Sequence, residues 1–70
     1  MFYRRIRELR EDNDELQKDI AKLLNTTQQQ YSKIELGITE ITADRIIILA
    51  KHYKVSTDYI LELTDDKTMR

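Results

Sequence analysis

Apolar residues recur at three- and four-residue steps along the chain, a spacing that predicts helices. The first spans about residues 2–12, with Phe2, Ile6 and Leu9 on one face and Arg4, Arg5, Glu8 and Glu11 turned to water. Asn13-Asp14 then offers a stop and a new start. Asp14 with Gln17 has the spacing of a capping box for a second helix carrying Leu16, Ile20, Ala21, Leu23 and Leu24. Asn25 stands where a left-handed residue ends that helix, and asparagine tolerates this conformation nearly as well as glycine. Thr27 and Gln30 repeat the capping-box spacing and begin a third helix that runs to about Glu35 and buries Tyr31 and Ile34. Gly37 ends it. After the loop Ile38-Thr39-Glu40-Ile41, Thr42 is the expected N-cap of a fourth helix built on Ile46, Ile47, Leu49, Ala50 and Tyr53. Ser56 caps a short fifth helix with Tyr59, Ile60 and Leu63, and a polar tail over residues 64–70 is expected to fray.

A single glycine and no proline fit this all-α reading: one compact five-helix domain over residues 1–63, followed by the tail. Seventy residues bury a small core, so tight packing or a partner subunit must contribute to stability. The absence of cysteine removes disulfides and thiolate metal sites, and the charged N-terminal stretch Met1-Phe2-Tyr3-Arg4-Arg5 lacks the apolar core of a secretory signal. A cytoplasmic protein is expected. With 40% hydrophobic and 36% charged residues the composition is that of a folding domain. The net charge of −1 argues against nucleic acid unless the basic residues gather on one face. The one histidine, His52, has no ligating or acidic neighbour at helical spacing, and there is no glycine-rich phosphate loop. No enzyme activity, metal or other cofactor is expected.

Two helices joined by a short turn, with small Ala21 inside the first, meet the packing requirement of a helix-turn-helix. Gln17-Lys18-Asp19-Ile20-Ala21-Lys22-Leu23-Leu24 followed by Asn25-Thr26-Thr27-Gln28-Gln29-Gln30-Tyr31-Ser32-Lys33-Ile34-Glu35 resembles the helix-turn-helix of the Cro and phage-repressor family, the XRE-like regulators. Residues 46–61, with Leu49-Ala50, Val55-Ser56 and Asp58 in register, resemble that family's fourth and fifth helices. The likeness spans about residues 4–63 without an insertion. It implies a lambda-repressor-like fold and a sequence-specific transcriptional regulator, a repressor, whose third helix enters the major groove of double-stranded DNA.

Carried over position by position, the resemblance gives Gln28, Gln29, Ser32 and Lys33 to bases or nearby backbone, and Gln17 and Thr27 to phosphate. A glutamine amide matches the N6 and N7 edge of adenine. It also makes Arg10 and Glu35 a bridge between the first helix and the end of the third. Leu16 stands where the family places a capping Ser or Thr, and Glu15 where it places an apolar residue, so an earlier helix start at Asp14 is expected. The loop after Gly37 lacks the usual basic residues, which predicts few phosphate contacts. Leu36, Ile38, Ile41 and Ile48 instead add apolar residues outside the expected core, and a homodimer on a pseudo-palindromic operator would cover them.

Two other readings stay open. A protein-interaction or antitoxin-like module on the same fold would use the isoleucine-rich patch for a different partner. A short parallel coiled coil over residues 6–23 would use Ile6, Leu9, Asn13, Leu16, Ile20 and Leu23 as its seam, provided one helix runs unbroken through Asn13-Asp14.

Overall fold

The computed structural model describes residues 2–68, and over them the chain forms five helices and no strand. These are α1 (Arg4–Asp12), α2 (Gln17–Leu23), α3 (Gln28–Glu35), α4 (Ala43–Tyr53) and α5 (Thr57–Ile60). No helix among the described residues is long and apolar enough to cross a membrane.

Three of the helix starts follow from one hydroxyl each. Thr27 Oγ1 accepts from Gln30 N at 3.1 Å, Thr42 Oγ1 from Arg45 N at 3.3 Å and Ser56 Oγ from Tyr59 N at 3.0 Å. Each satisfies a first-turn N–H that the helix itself leaves without a partner. Asn25 is left-handed at φ 57° and turns the chain between α2 and α3, as its position predicts. Gly37 follows α3 at φ 76°. A Cβ there would also lie 3.0 Å from Phe2 Cα and Cβ, so both the left-handed backbone and a close neighbour disfavour a side chain at this turn.

The start of α2 differs from the expected one. Asp14 sits at φ 56°, outside any helix, and the box with Gln17 does not form. The N-cap is Leu16, whose side chain has no oxygen to accept with. Only the reciprocal half of a cap is made, Leu16 N donating to Asp19 Oδ2 at 3.0 Å. Because α1 stops at Asp12, the unbroken helix that a coiled coil over residues 6–23 requires does not exist.

The core brings Ile6 and Leu9 of α1 together with Ile20, Ala21 and Leu24, Tyr31, Ile46, Leu49 and Ala50, Val55 and Ile60. Ile34, also buried, completes the inward face of α3. The helices pack as two pairs, α2 on α3 and α4 on α5, with α1 resting on both α3 and α5. Buried Ala21 lets α2 and α3 approach closely.

Several apolar positions fall outside this core. Phe2, Leu16, Leu23, Ile47 and Leu63 are exposed, and α5 ends before Leu63. The reverse holds for Arg5, expected in water and found 7% exposed. Its guanidinium donates to Tyr59 O at 2.7 Å, to Thr64 O and to Asp65 Oδ1 at 2.6 Å, and lies 4.1 Å from the centre of the Tyr59 ring. Arginine suits this place because its planar fork serves several acceptors at once while its face stacks on an aromatic ring. The described part of the tail is consequently held: Ser56 N donates to Lys67 O at 3.0 Å, closing residues 64–68 against α5.

Replacing Arg5 by Leu keeps the apolar stem but leaves the Tyr59 and Thr64 carbonyls without their charged donor. The urea midpoint should fall by the equivalent of about 1.5–3 kcal/mol, the range for hydrogen bonds to a charged group. A midpoint unchanged from wild type would show that the clamp contributes nothing.

Candidate nucleic-acid interface

The turn of Leu24, Asn25, Thr26 and Thr27 sets α3 against α2. Its backbone is closed by Leu24 N donating to Ile20 O at 2.9 Å and Thr26 N to Ala21 O at 2.9 Å. On α3, Tyr31 and Ile34 point inward. Gln28, Gln29 and Lys33 are exposed on the other side, and Ser32 is half-buried. Helical periodicity accounts for the division, since positions 28, 29, 32 and 33 share the stripe opposite 31 and 34.

Five of the six residues assigned from the sequence to DNA contact converge. Gln17, Gln28, Gln29, Ser32 and Lys33 line one shallow surface depression together with Leu36 and Ile38. Thr27, the sixth, stands at the N-terminus of the same helix with its hydroxyl oxygen occupied as the cap. The hydroxyl proton remains available to an outside acceptor. No carboxylate lines the depression, and no acidic side chain among the described residues pairs with the Lys33 ammonium.

Beneath it lies a buried ion pair. Arg10 Nε donates to Glu35 Oε2 at 2.6 Å and Arg10 Nη2 to Glu35 Oε1 at 3.2 Å, a two-pronged contact between α1 and the last residue of α3. The side chains are 12% and 3% exposed. Arg10 Nη1 also donates to Glu15 O at 2.9 Å, and Gln17 Nε2 donates to Glu35 Oε1 at 3.1 Å. Gln17, assigned from the sequence to phosphate, thus spends part of its amide inside the protein and joins the depression to the ion pair.

Burial pushes the Glu35 carboxyl up. The Arg10 and Gln17 hydrogen bonds, with the Arg10 charge and the nearby Tyr31 hydroxyl, outweigh that and hold it below its ordinary value. The Arg10 guanidinium is raised in turn, chiefly by its hydrogen bond to Glu35. Burial, together with the Glu35 carboxylate, drives the Tyr31 phenol far up.

A second polar contact went unseen in the sequence. Glu15 Oε2 lies 2.6 Å from His52 Nε2 and ties the α1–α2 turn to α4 across 37 positions. Glu15 Oε1 and the Tyr53 hydroxyl are both buried without a hydrogen-bond partner, and burial followed by the Glu15 carboxylate drives the Tyr53 phenol far up. Helical spacing offers His52 no partner; its partner comes from another element, which spacing cannot reveal.

The four apolar residues expected to form one patch are placed differently from one another. Leu36 and Ile38 border the depression, Ile41 is partly buried against the core, and Ile48 is 37% exposed on α4.

Residues 6–60 match the family model described as Helix-turn-helix. The chain belongs to the XRE-type helix-turn-helix family. That is a family of DNA-binding regulators and not of enzymes. Over 66 residues, 94% of its length, it is 35% identical to the uncharacterized HTH-type transcriptional regulator YobD of Bacillus subtilis (strain 168). The chain spans 59% of that relative's length. No solved structure matches it.

The buried pair supplies a test of the helix-turn-helix frame. Removing one partner leaves an uncompensated charge, so Arg10→Met or Glu35→Gln should each cost about 3–5 kcal/mol, with a strong coupling in the double-mutant cycle. The sign of the pH effect follows from the lowered Glu35 pKa: its contribution is present above the unfolded carboxylate value, about 4.3, and is lost as pH falls through the folded value. Unfolding followed from pH 7 to 3 should show Glu35→Gln losing less stability than wild type. Parallel curves and zero coupling would make the pair two independent surface charges.

Proposed function

We propose that this protein is a sequence-specific transcriptional repressor that places α3 in the major groove of operator DNA. One observation carries the reading. Gln28, Gln29, Ser32 and Lys33 line one outward depression that no carboxylate lines, joined through Gln17 to the ion pair that fixes α3 on α1. The two glutamines suit adenine edges, each bidentate match discriminating by about 1–3 kcal/mol. Lys33 and Thr27 suit phosphate. Repression follows as the simplest output, because occupancy of an operator is enough to exclude other proteins.

A homodimer on a two-fold operator is part of the same proposal, since it sets two recognition helices one helical turn apart. Of the four apolar residues first assigned to that contact, Ile48 is the one that neither packs on the core nor borders the reading face, and exposed Ile47 adjoins it. Changing Ile48 to Lys should shift sedimentation toward monomer with helicity retained. A wild-type protein already monomeric at high micromolar concentration would overturn this part.

The decisive measurement selects bound sequences from random duplex DNA and titrates variants on the selected site and a scrambled one at several salt concentrations. Gln28→Ala and Gln29→Ala should fold normally, keep the salt slope and lose about 1–3 kcal/mol of discrimination at one or two positions per half-site. Lys33→Ala should weaken both duplexes alike and reduce the salt slope by about 1. Full discrimination retained by both glutamine variants would exclude α3 as the reading helix and leave the fold as a protein-interaction module.

A further inference from the structure

We propose that Leu36 and Ile38 read thymine methyl groups next to the bases contacted by Gln28 and Gln29, making the preferred half-site rich in A·T pairs. The inference rests on the assignment of α3 as the reading helix and adds two specificity-determining residues to it. Leu36 and Ile38 are 61% and 71% exposed, yet both line the depression that holds the glutamines. Leu36 lies four residues after Ser32 and seven after Gln29, so it prolongs the same helical stripe at the C-cap of α3. Ile38 is held in place by its backbone: Ile38 N and Thr39 N both donate to Lys33 O, at 2.9 and 3.2 Å, through the turn at left-handed Gly37.

The partner chemistry follows from the groove. Each base pair offers hydrogen-bonding groups in the major groove, and the one apolar group there is the C5-methyl of thymine. Two exposed branched aliphatic side chains lining the same depression as two amides therefore match a strand that presents methyls near adenine edges. A glutamine paired to adenine necessarily faces a base pair that carries such a methyl on its other strand. Neither Leu36 nor Ile38 bears a charge, so their contribution should not depend on salt, in contrast to that of Lys33.

The test replaces thymines of the selected duplex one at a time by deoxyuridine, which removes only the methyl, and titrates wild type, Leu36→Ala and Ile38→Ala. Both side chains are exposed, so both variants should fold, and thermal melting followed by circular dichroism checks this. Wild type should bind about fourfold more weakly at one or two deoxyuridine positions per half-site, the equivalent of one buried methyl-sized group. At each such position the weakening should vanish in one of the alanine variants, with an unchanged salt slope. Deoxyuridine without effect at every position, or a penalty that persists in both variants, overturns the proposal. So does a loss of binding that tracks a shift to monomer in sedimentation of the free variants, which would assign these residues to a second copy of the chain. If the Gln28 and Gln29 variants lose discrimination while deoxyuridine is silent, the α3 assignment stands and the methyl contact alone fails; if no sequence is selected at all, the α3 assignment itself fails.

Discussion

Arg10 and Glu35 sit between two requirements that α3 has to meet at once. Its inner face must seat Tyr31 and Ile34 in the core, and its outer face must stand at a fixed angle to the rest of the domain. Packing of Tyr31 and Ile34 against α2 and the core meets the first and sets the second. The two-pronged ion pair reinforces that setting by holding the last residue of α3 to α1, while the third arm of Arg10 holds the carbonyl of Glu15 and Gln17 adds a strut from α2. A desolvated pair of this kind adds little net stability compared with a well-packed apolar substitute. What it adds is orientation, since breaking the two-pronged contact would leave a buried charge without its partner.

The local chemistry of the chain was legible without the structure. Thr27, Thr42 and Ser56 cap the helices they were expected to cap, and Asn25 and Gly37 adopt the left-handed turns, because each device involves neighbours within a few residues. Failures begin where a distant element decides. Asp14 has the residue type and spacing of a cap, but the chain needs a left-handed residue there to bend α1 away from α2. Arg5 is polar by type and buried in fact, because the end of α5 presents carbonyls and an aromatic ring to it from across the domain. Leu23, Ile47 and Leu63 fit a helical stripe and meet solvent, since this small core ends before their turn of the helix.

The candidate site divides in the same way. That Gln28, Gln29, Ser32 and Lys33 share a face follows from helical periodicity, and the structure adds Gln17 from a second helix. That Gln17 also serves Glu35, or that Glu15 engages His52, depends on contacts between elements that no spacing rule encodes. Net charge was a poor guide to partner class for a related reason. It sums over the whole surface, whereas binding depends on the local face, and no acidic residue lines the candidate depression.

The Arg5 clamp also bears on how the domain folds. Most packing here joins helices close in sequence, the condition for rapid folding, but Arg5 joins groups 54 to 60 positions away. Closing so long a loop is entropically costly until the intervening helices are in place. The clamp should therefore form after the rate-limiting step and act as a latch: weakening it would leave the folding limb of a chevron where it is and raise the rate of escape from the native state. A folding limb slowed by loss of Arg5 would place the latch in the nucleus instead.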